Sequence, residues 1–229
     1  VGMTIRRTLM LALLAFSVLF ATLMTLLAYT RARAALSDEI RVHLATQAQT
    51  LTQQIAAALF ERLQDIQGWQ RLEVMQELKV GDVDKRLARY LHDVTSAYAG
   101  IYVDVLCVAD GRVVAAADPA QIGQPFVAPP PWIDVRYRGE VVSLARPVTL
   151  DGRATMNFRL PVPDAFGSAV LGEIHARYDW AEVEAALEQA ATGGRQAVLL
   201  DADGAVLAAS AGLRARHDAG SFALLRPRA

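Results

Sequence analysis

Residues 105–117, Val-Leu-Cys-Val-Ala-Asp-Gly-Arg-Val-Val-Ala-Ala-Ala, return 93 positions later as residues 198–210, Val-Leu-Leu-Asp-Ala-Asp-Gly-Ala-Val-Leu-Ala-Ala-Ser, with eight of thirteen positions identical. Self-similarity at a fixed offset marks a repeated supersecondary unit. In each copy an apolar run meets an Asp-Gly pair and a second apolar run follows. That order specifies a two-residue hairpin, because the turn demands positive φ, which Asp and Gly tolerate. The rest of the chain has to hold, feed or surround two such hairpins.

What precedes them is helical. Residues 9–29 are 21 positions without a charge, and a helix needs roughly 20 apolar residues to cross the hydrocarbon core. Residues 9–30 therefore read as a transmembrane helix. The competing reading is a cleaved signal peptide ending at Ala32-Arg33-Ala34, although such peptides carry a shorter apolar core of about 7–15 residues. Arg6 and Arg7 precede the span while Arg31 and Arg33 follow it. Asp38 and Glu39 tilt the balance toward a short tail inside, residues 1–8, and the bulk outside. From there Leu36, Ile40, Leu44, Ala48, Leu51, Ile55, Leu59, Leu63 and Ile66 recur at steps of three and four. They make one face of a stalk helix, roughly 45 Å long at 1.5 Å per residue. The stalk spans residues 31–80, with a kink expected at Gly68-Trp69. Such a stripe packs on a core or forms one strand of a coiled coil, and a parallel homodimer along it is expected; Ala48, Ala56, Ala57 and Ala58 weaken a strict heptad.

Gly81 breaks the pattern and Asp82 suits an N-cap, with Val83, Leu87, Tyr90, Leu91, Val94 and Tyr98 on one face of a second helix that Gly100 ends. Strands follow over residues 101–108 and 112–117. Asp118-Pro119 opens a loop, and Pro129-Pro130-Pro131 excludes regular structure there. Further strands read over residues 141–148, 155–162 and 168–178, then a helix over 180–191 and a linker at Thr192-Gly193-Gly194. Two helices and about five antiparallel strands make an α+β module, residues 81–191, with helices on one face of the sheet. Residues 192–229 supply only the first hairpin of a second module. The first needs about 75 residues from Ile101 to Tyr178, whereas 33 follow Gln196, so either the second unit is degenerate or, as is expected here, the chain is a fragment of a longer protein.

Charge and composition exclude several functions. Lys and Arg number 23 against 24 Asp and Glu, a net charge of −1, which gives no electrostatic case for nucleic acid. Cys107, the single cysteine, lies in an apolar strand where a buried thiol is the ordinary outcome. No nucleophile and base, phosphate loop or carboxylate pair is present, so no catalytic residue and no cofactor is expected. Glu173 and His175 stand at i and i+2 without a third ligand, which does not make a metal site.

An apolar span, a stalk helix and the run Val-Leu-Cys-Val-Ala-Asp-Gly-Arg-Val-Val-Ala-Ala-Ala-Asp-Pro-Ala-Gln-Ile-Gly-Gln-Pro-Phe over residues 105–126 resemble the double Cache, or tandem extracellular PAS-like, sensor domain of bacterial receptors. The resemblance continues in Ser-Leu-Ala-Arg-Pro-Val at 143–148, Leu-Gly-Glu-Ile at 171–174 and Tyr-Asp-Trp at 178–180, and covers roughly residues 30–210. It implies a bacterial inner-membrane protein whose periplasmic part binds a small molecule in the membrane-distal module. Its partners are then that ligand, the lipid bilayer and a second copy of the chain. A helix displacement would carry the signal to a cytoplasmic output, most like that of a histidine kinase, with diguanylate cyclases and chemoreceptors as alternatives. No output is visible. None of His43, His92, His175 and His217 stands in a His-Glu-x-x-Pro context, and Gly193-Gly194 is followed by Arg-Gln. A bitopic scaffold of a secretion or pilus assembly would combine the same tail, span, coiled coil and small domain, but has no need of a repeated hairpin.

The resemblance also implies a pocket on the sheet face away from the long helix, closed by loops. Amino-acid-binding members use an arginine, an aromatic pair and a distal aspartate. Here the loop after the prolines holds Trp132, Arg136 and Tyr137, and the distal acid is Asp179, though the spacing departs from that motif. An arginine pairs bidentately with a carboxylate and a stacked tryptophan covers its apolar part. The bland reading has Trp132 plugging an edge and Arg136 solvated. Over residues 155–162 strand alternation puts Met156, Phe158 and Leu160 on one face and Thr155, Asn157 and Arg159 on the other. With the apolar face on the stalk, Asn157 and Arg159 line the pocket, and Arg146 joins from a strand end.

Overall fold

The computed structural model describes residues 5–127, 132–137, 139–150 and 152–214. The chain divides into two compact units, Val1–Thr52 and Gln53–Ala229. Helix α1 (Ile5–Gln70) supplies the described part of the first. Its apolar stretch is long and apolar enough to cross a membrane, with a mean hydropathy of 2.4 and none of that stretch buried. Thr22 and Thr25 donate their hydroxyls to the carbonyls of Val18 and Ala21 at 2.7 and 2.8 Å. These two hydroxyls are thus satisfied within the helix, as an apolar solvent requires.

In the second unit α1 buries Ile55, Leu63, Ile66 and Trp69. The helix stops at Gln70 and does not kink on to Lys79; a 3-10 helix over Glu73–Val80 follows and buries Met75 and Leu78. Gly81, in the left-handed conformation at φ 75°, ends it. Helix α2 (Arg86–Ala97) begins three residues later than the sequence suggests. Asp82 does satisfy its first amides, taking N–H bonds from Leu87 and Ala88 at 2.9 and 3.0 Å. It does so from a turn in which Asp82 and Lys85 hold φ of 49° and 60°. Val83 consequently lies in that turn and is 78% exposed, while Leu87, Leu91 and Val94 are buried.

Among the described residues seven antiparallel strands form the main sheet: β1 (Tyr102–Ala109), β2 (Arg112–Ala116), β3 (Trp132–Tyr137), β4 (Glu140–Ala145), β5 (Val148–Leu150), β6 (Arg153–Pro163) and β7 (Val170–Asp179). Their order is β2-β1-β7-β6-β4-β3, with β5 beside β6. The loop expected after the prolines is instead strand β3, paired with β4 from Trp132↔Ala145 to Tyr137↔Glu140. The strand expected over 141–148 is two strands. Pro147 has no N–H to give, and β4 and β5 pair with different stretches of β6, Ser143↔Arg159 and Val148↔Thr155. On β7, a Cβ at Gly172 would lie 2.5 Å from the Val108 carbonyl oxygen, so only glycine lets β1 approach.

One face of this sheet packs on the helices. Cys107, Phe158, Leu160, Ile174, Ala176 and Tyr178 are each 1% exposed or less. The Cys107 and Met75 sulfurs are 3.9 Å apart, and Trp69, Tyr98 and Tyr102 stand edge to face with centroids 5.2–5.8 Å apart. Helix α3 (Ala181–Ala190) buries Val183 and Leu187.

The second hairpin exists, as a two-stranded sheet of its own: β8 (Val198–Leu200) and β9 (Val206–Ala209), followed by helix α4 (Ala211–Arg214). Its turn differs from the first. Asp110 and Gly111 both have positive φ, 50° and 72°, in a two-residue turn. In the second copy only Gly204 does, at 78°. There Asp201 stands where the first copy has Val108, and its Oδ1 accepts from the amides of Asp203 and Ala205 at 3.0 and 2.8 Å. That carboxylate stabilises a wider turn.

Candidate functional site

Residues directly paired in an antiparallel sheet share a face, so the register lays out the side away from α1. One row runs Leu106, His175, Arg159, Ser143, Asp134 from β1 to β3. The next is Asp104, Arg177, Asn157. This face carries most of the charge of the central strands, whereas toward α1 Glu140 is held by Gln70 and Arg71.

At its β3 side Arg159 stacks over the Trp132 ring, 4.7 Å from the centroid. It donates from Nη2 to Ser143 Oγ at 2.9 Å and stands 3.5 Å from Glu173. Ser143 in turn donates to Asp134 at 2.6 Å. His175 is 2% exposed, lies against Phe126 and Trp132 with centroids 4.3 and 5.8 Å away, and meets Glu173 through Nε2 at 3.1 Å. Burial pushes the His175 imidazole below its ordinary range, against the Glu173 hydrogen bond that favours its charged form. That bond in turn draws the Glu173 carboxyl down. Neutral His175 donates from Nε2, which leaves Nδ1 a buried acceptor with no partner among the described residues.

At the β1 side the face opens into a cleft of about 470 Å³ lined by His92, Thr95 and Ser96 of α2, Asp104, Asp118, Gln121, Arg153, Thr155 and Arg177. Asp118 N-caps the short helix Pro119–Gln121, which brings Gln121 to donate to Asp104 Oδ2 at 2.8 Å. Arg177 Nη1 is 3.6 Å from the same oxygen. Burial pushes the Asp104 carboxyl above the ordinary aspartate range, with Gln121 and Arg177 opposing. A register irregularity between Tyr102 and Asp104 sets these two residues on opposite faces, where plain alternation would put them together. Such bulges re-aim side chains beside functional sites. The cleft thus offers two carboxylates to a cation and two guanidinium groups to an anion.

Of the seven residues singled out in the sequence, Trp132, Asn157 and Arg159 share this face. Arg136 is on it by strand alternation, at an exposed position of β3. Asp179 is committed to α3, accepting from the Ala181 amide at 2.9 Å. Tyr137 lies on the opposite face, its ring 5.0 Å from Phe60 of α1, because β3 is a strand and consecutive residues alternate. Arg146 clasps the second hairpin, 2.6 Å from Asp201 and 3.1 Å from Asp203. The sequence reading missed Asp104, Asp118, Gln121, Ser143 and Arg177. One signal was available: Asp104 is the only charge in an otherwise apolar strand.

The fold is that of the Cache-type sensor domains. The sensor domain of the histidine kinase DctB from V. cholerae aligns with a TM-score of 0.57 at 17% identity, over 73% of this chain and 66% of that one. The ligand-binding domain of the amino acid chemoreceptor PctC of Pseudomonas aeruginosa PAO1, in complex with GABA, aligns with a TM-score of 0.50 at 17% identity, over 72% of this chain and 73% of that one. No protein-family model matches the chain, and no curated protein does.

Proposed function

We propose that the chain is the extracytoplasmic sensory input region of a bacterial transmembrane receptor, and that the Asp104–Arg177 cleft holds its ligand. The observation that carries this reading is a buried carboxylate, Asp104, opposed by the half-buried guanidinium of Arg177 in a cleft where packing asks for neither. Buried carboxylates are rare unless paired or functional, and burial disfavours the charge of this one while Gln121 and Arg177 favour it. A cleft of about 470 Å³ suits a small metabolite. Arg153 and Arg177 suit a carboxylate, Asp104 and Asp118 an ammonium group, and the ligand class is therefore a small zwitterion of the amino-acid kind.

In this reading residues 9–30 cross the inner membrane from a cytoplasmic tail, residues 31–80 form the stalk of a homodimer, residues 81–191 sense in the periplasm and residues 192–229 begin a second module. The output is that of a histidine kinase; a diguanylate cyclase or chemoreceptor output fits the same input. The test is a thermal-shift screen of the full chain in lipid nanodiscs against amino acids, amines and dicarboxylates. A hit is expected to raise the unfolding midpoint of the wild type and leave Arg177→Gln unmoved. A hit that raises both equally places the ligand elsewhere and defeats the proposal.

A further inference from the structure

Behind the cleft, on the helix side of the same strands, lies a polar cluster that the core does not need. Arg62 of α1 has a side chain only 8% exposed. Its Nη2 is 2.8 Å from Glu61 and its Nε 3.7 Å from Asp65, while Nε and Nη1 have no hydrogen-bond partner among the described residues. The Tyr102 hydroxyl reaches the Asp65 carboxylate at 3.3 Å and the Arg62 carbonyl at 3.4 Å. Its neighbour across the strand pair, Tyr178, donates to Glu182 of α3 at 2.8 Å. Burial holds the Asp65 carboxyl above its ordinary range, with Arg62 opposing.

Asp104 and Arg177 are each joined to this cluster through the backbone. Arg177 and Tyr178 are consecutive on β7, and Asp104 and Tyr102 flank the bulge on β1. A bulge is the one place in a ladder where a residue changes face without breaking the strands. A buried cation with unmet donors is a poorly satisfied group, free to change partners when its neighbours move.

We infer that the bulge and the Tyr102–Asp65–Arg62 cluster form the joint by which occupancy of the Asp104–Arg177 cleft shifts α1. The inference rests on the proposed reading of the cleft. A change in the Asp104 contacts moves the bulge, the bulge turns Tyr102, and Tyr102 hands the change to Asp65 and Arg62 on α1, the helix that also carries the apolar span. Such coupling requires two arrangements that the ligand binds unequally. Tyr102 is the positioning residue.

The chain supplies its own probes. Its three tryptophans include Trp69, edge-on to Tyr102, Trp132 on the ligand face and Trp180. The full chain is labelled with 5-fluorotryptophan in lipid nanodiscs, and its fluorine resonances are assigned by Trp→Phe variants. Asp104→Asn is expected to displace the Trp69 resonance by more than a linewidth, and Tyr102→Phe, which keeps the ring and removes only the hydroxyl, is expected to abolish that displacement. Asp65→Asn is expected to do the same, and serves in place of Tyr102→Phe if that variant does not fold. A Trp69 resonance unmoved by Asp104→Asn, or moved equally in both backgrounds, overturns the joint. No ligand enters this test, so its failure is separate from a failure to find one.

Discussion

The two faces of the main sheet are made by the same strands, yet they hold different chemistry. Toward α1 stand Cys107, Phe158, Leu160, Ile174 and Tyr178, nearly inaccessible and mostly apolar. Away from it stand Asp104, Ser143, Arg159, Glu173, His175 and Arg177, tied to one another by hydrogen bonds and ion pairs. The first set follows from burial of apolar area, which is non-directional and tolerant of exchange between similar shapes. The second costs stability to assemble, and in the proposed reading the ligand is what it serves. The comparison therefore predicts that variants on one face change folding, and variants on the other change binding.

The largest effect is expected at the core face. Phe158→Ala should lower unfolding free energy by about 3–5 kcal/mol, read by denaturant titration, while the folded fraction keeps its affinity. On the opposite face Arg177→Gln should weaken the ligand by about 1.5–3 kcal/mol, the range for a hydrogen bond to a charged group, with a far smaller change in midpoint. Gly172→Ala acts where β7 meets the backbone of β1. The clash with Val108 should cost about 1–3 kcal/mol as overpacking does, and Gly172→Ser should be no better.

Asp104→Asn sharpens the comparison by its sign. The folded carboxyl is raised above the unfolded value of about 3.9, because burial disfavours its charge. Its stabilising share is thus present below that pH and lost as pH rises through the folded pKa. Removing the charge should raise the unfolding midpoint at pH 7, leave it unchanged near pH 3 and abolish ligand binding. A variant more stable and inactive marks a residue kept for function. The smallest effect concerns His175. Its folded pKa lies below the unfolded value of about 6.5, so its share of stability is full above that pH and falls away as pH drops through the folded pKa. His175→Gln should flatten the pH dependence of the midpoint between pH 7 and 5.

Much of the core face was legible in the sequence. The period-2 pattern of Met156, Phe158 and Leu160 against Asn157 and Arg159 assigns both faces of β6, and the structure keeps that assignment. The repeat located two hairpins, but not their different turns. Those depend on a single carboxylate at Asp201 in the place of Val108. The site was less legible for two reasons. The prolines before Trp132 masked β3, and with it the alternation that sends Tyr137 to α1. The β1 bulge breaks the parity that would otherwise have put Asp104 beside Tyr102, and no local propensity signals it.

The central claim is that ligand recognition belongs to the face away from α1. Isothermal titration of one binding metabolite into a matched pair of variants in nanodiscs tests it most directly: Arg177→Gln on that face and Phe158→Leu on the other. Arg177→Gln is predicted to lose at least about tenfold in affinity, and Phe158→Leu to bind as the wild type does at a temperature where it is folded. Unchanged affinity in Arg177→Gln together with a loss in folded Phe158→Leu would contradict the account and move the site to the helix side.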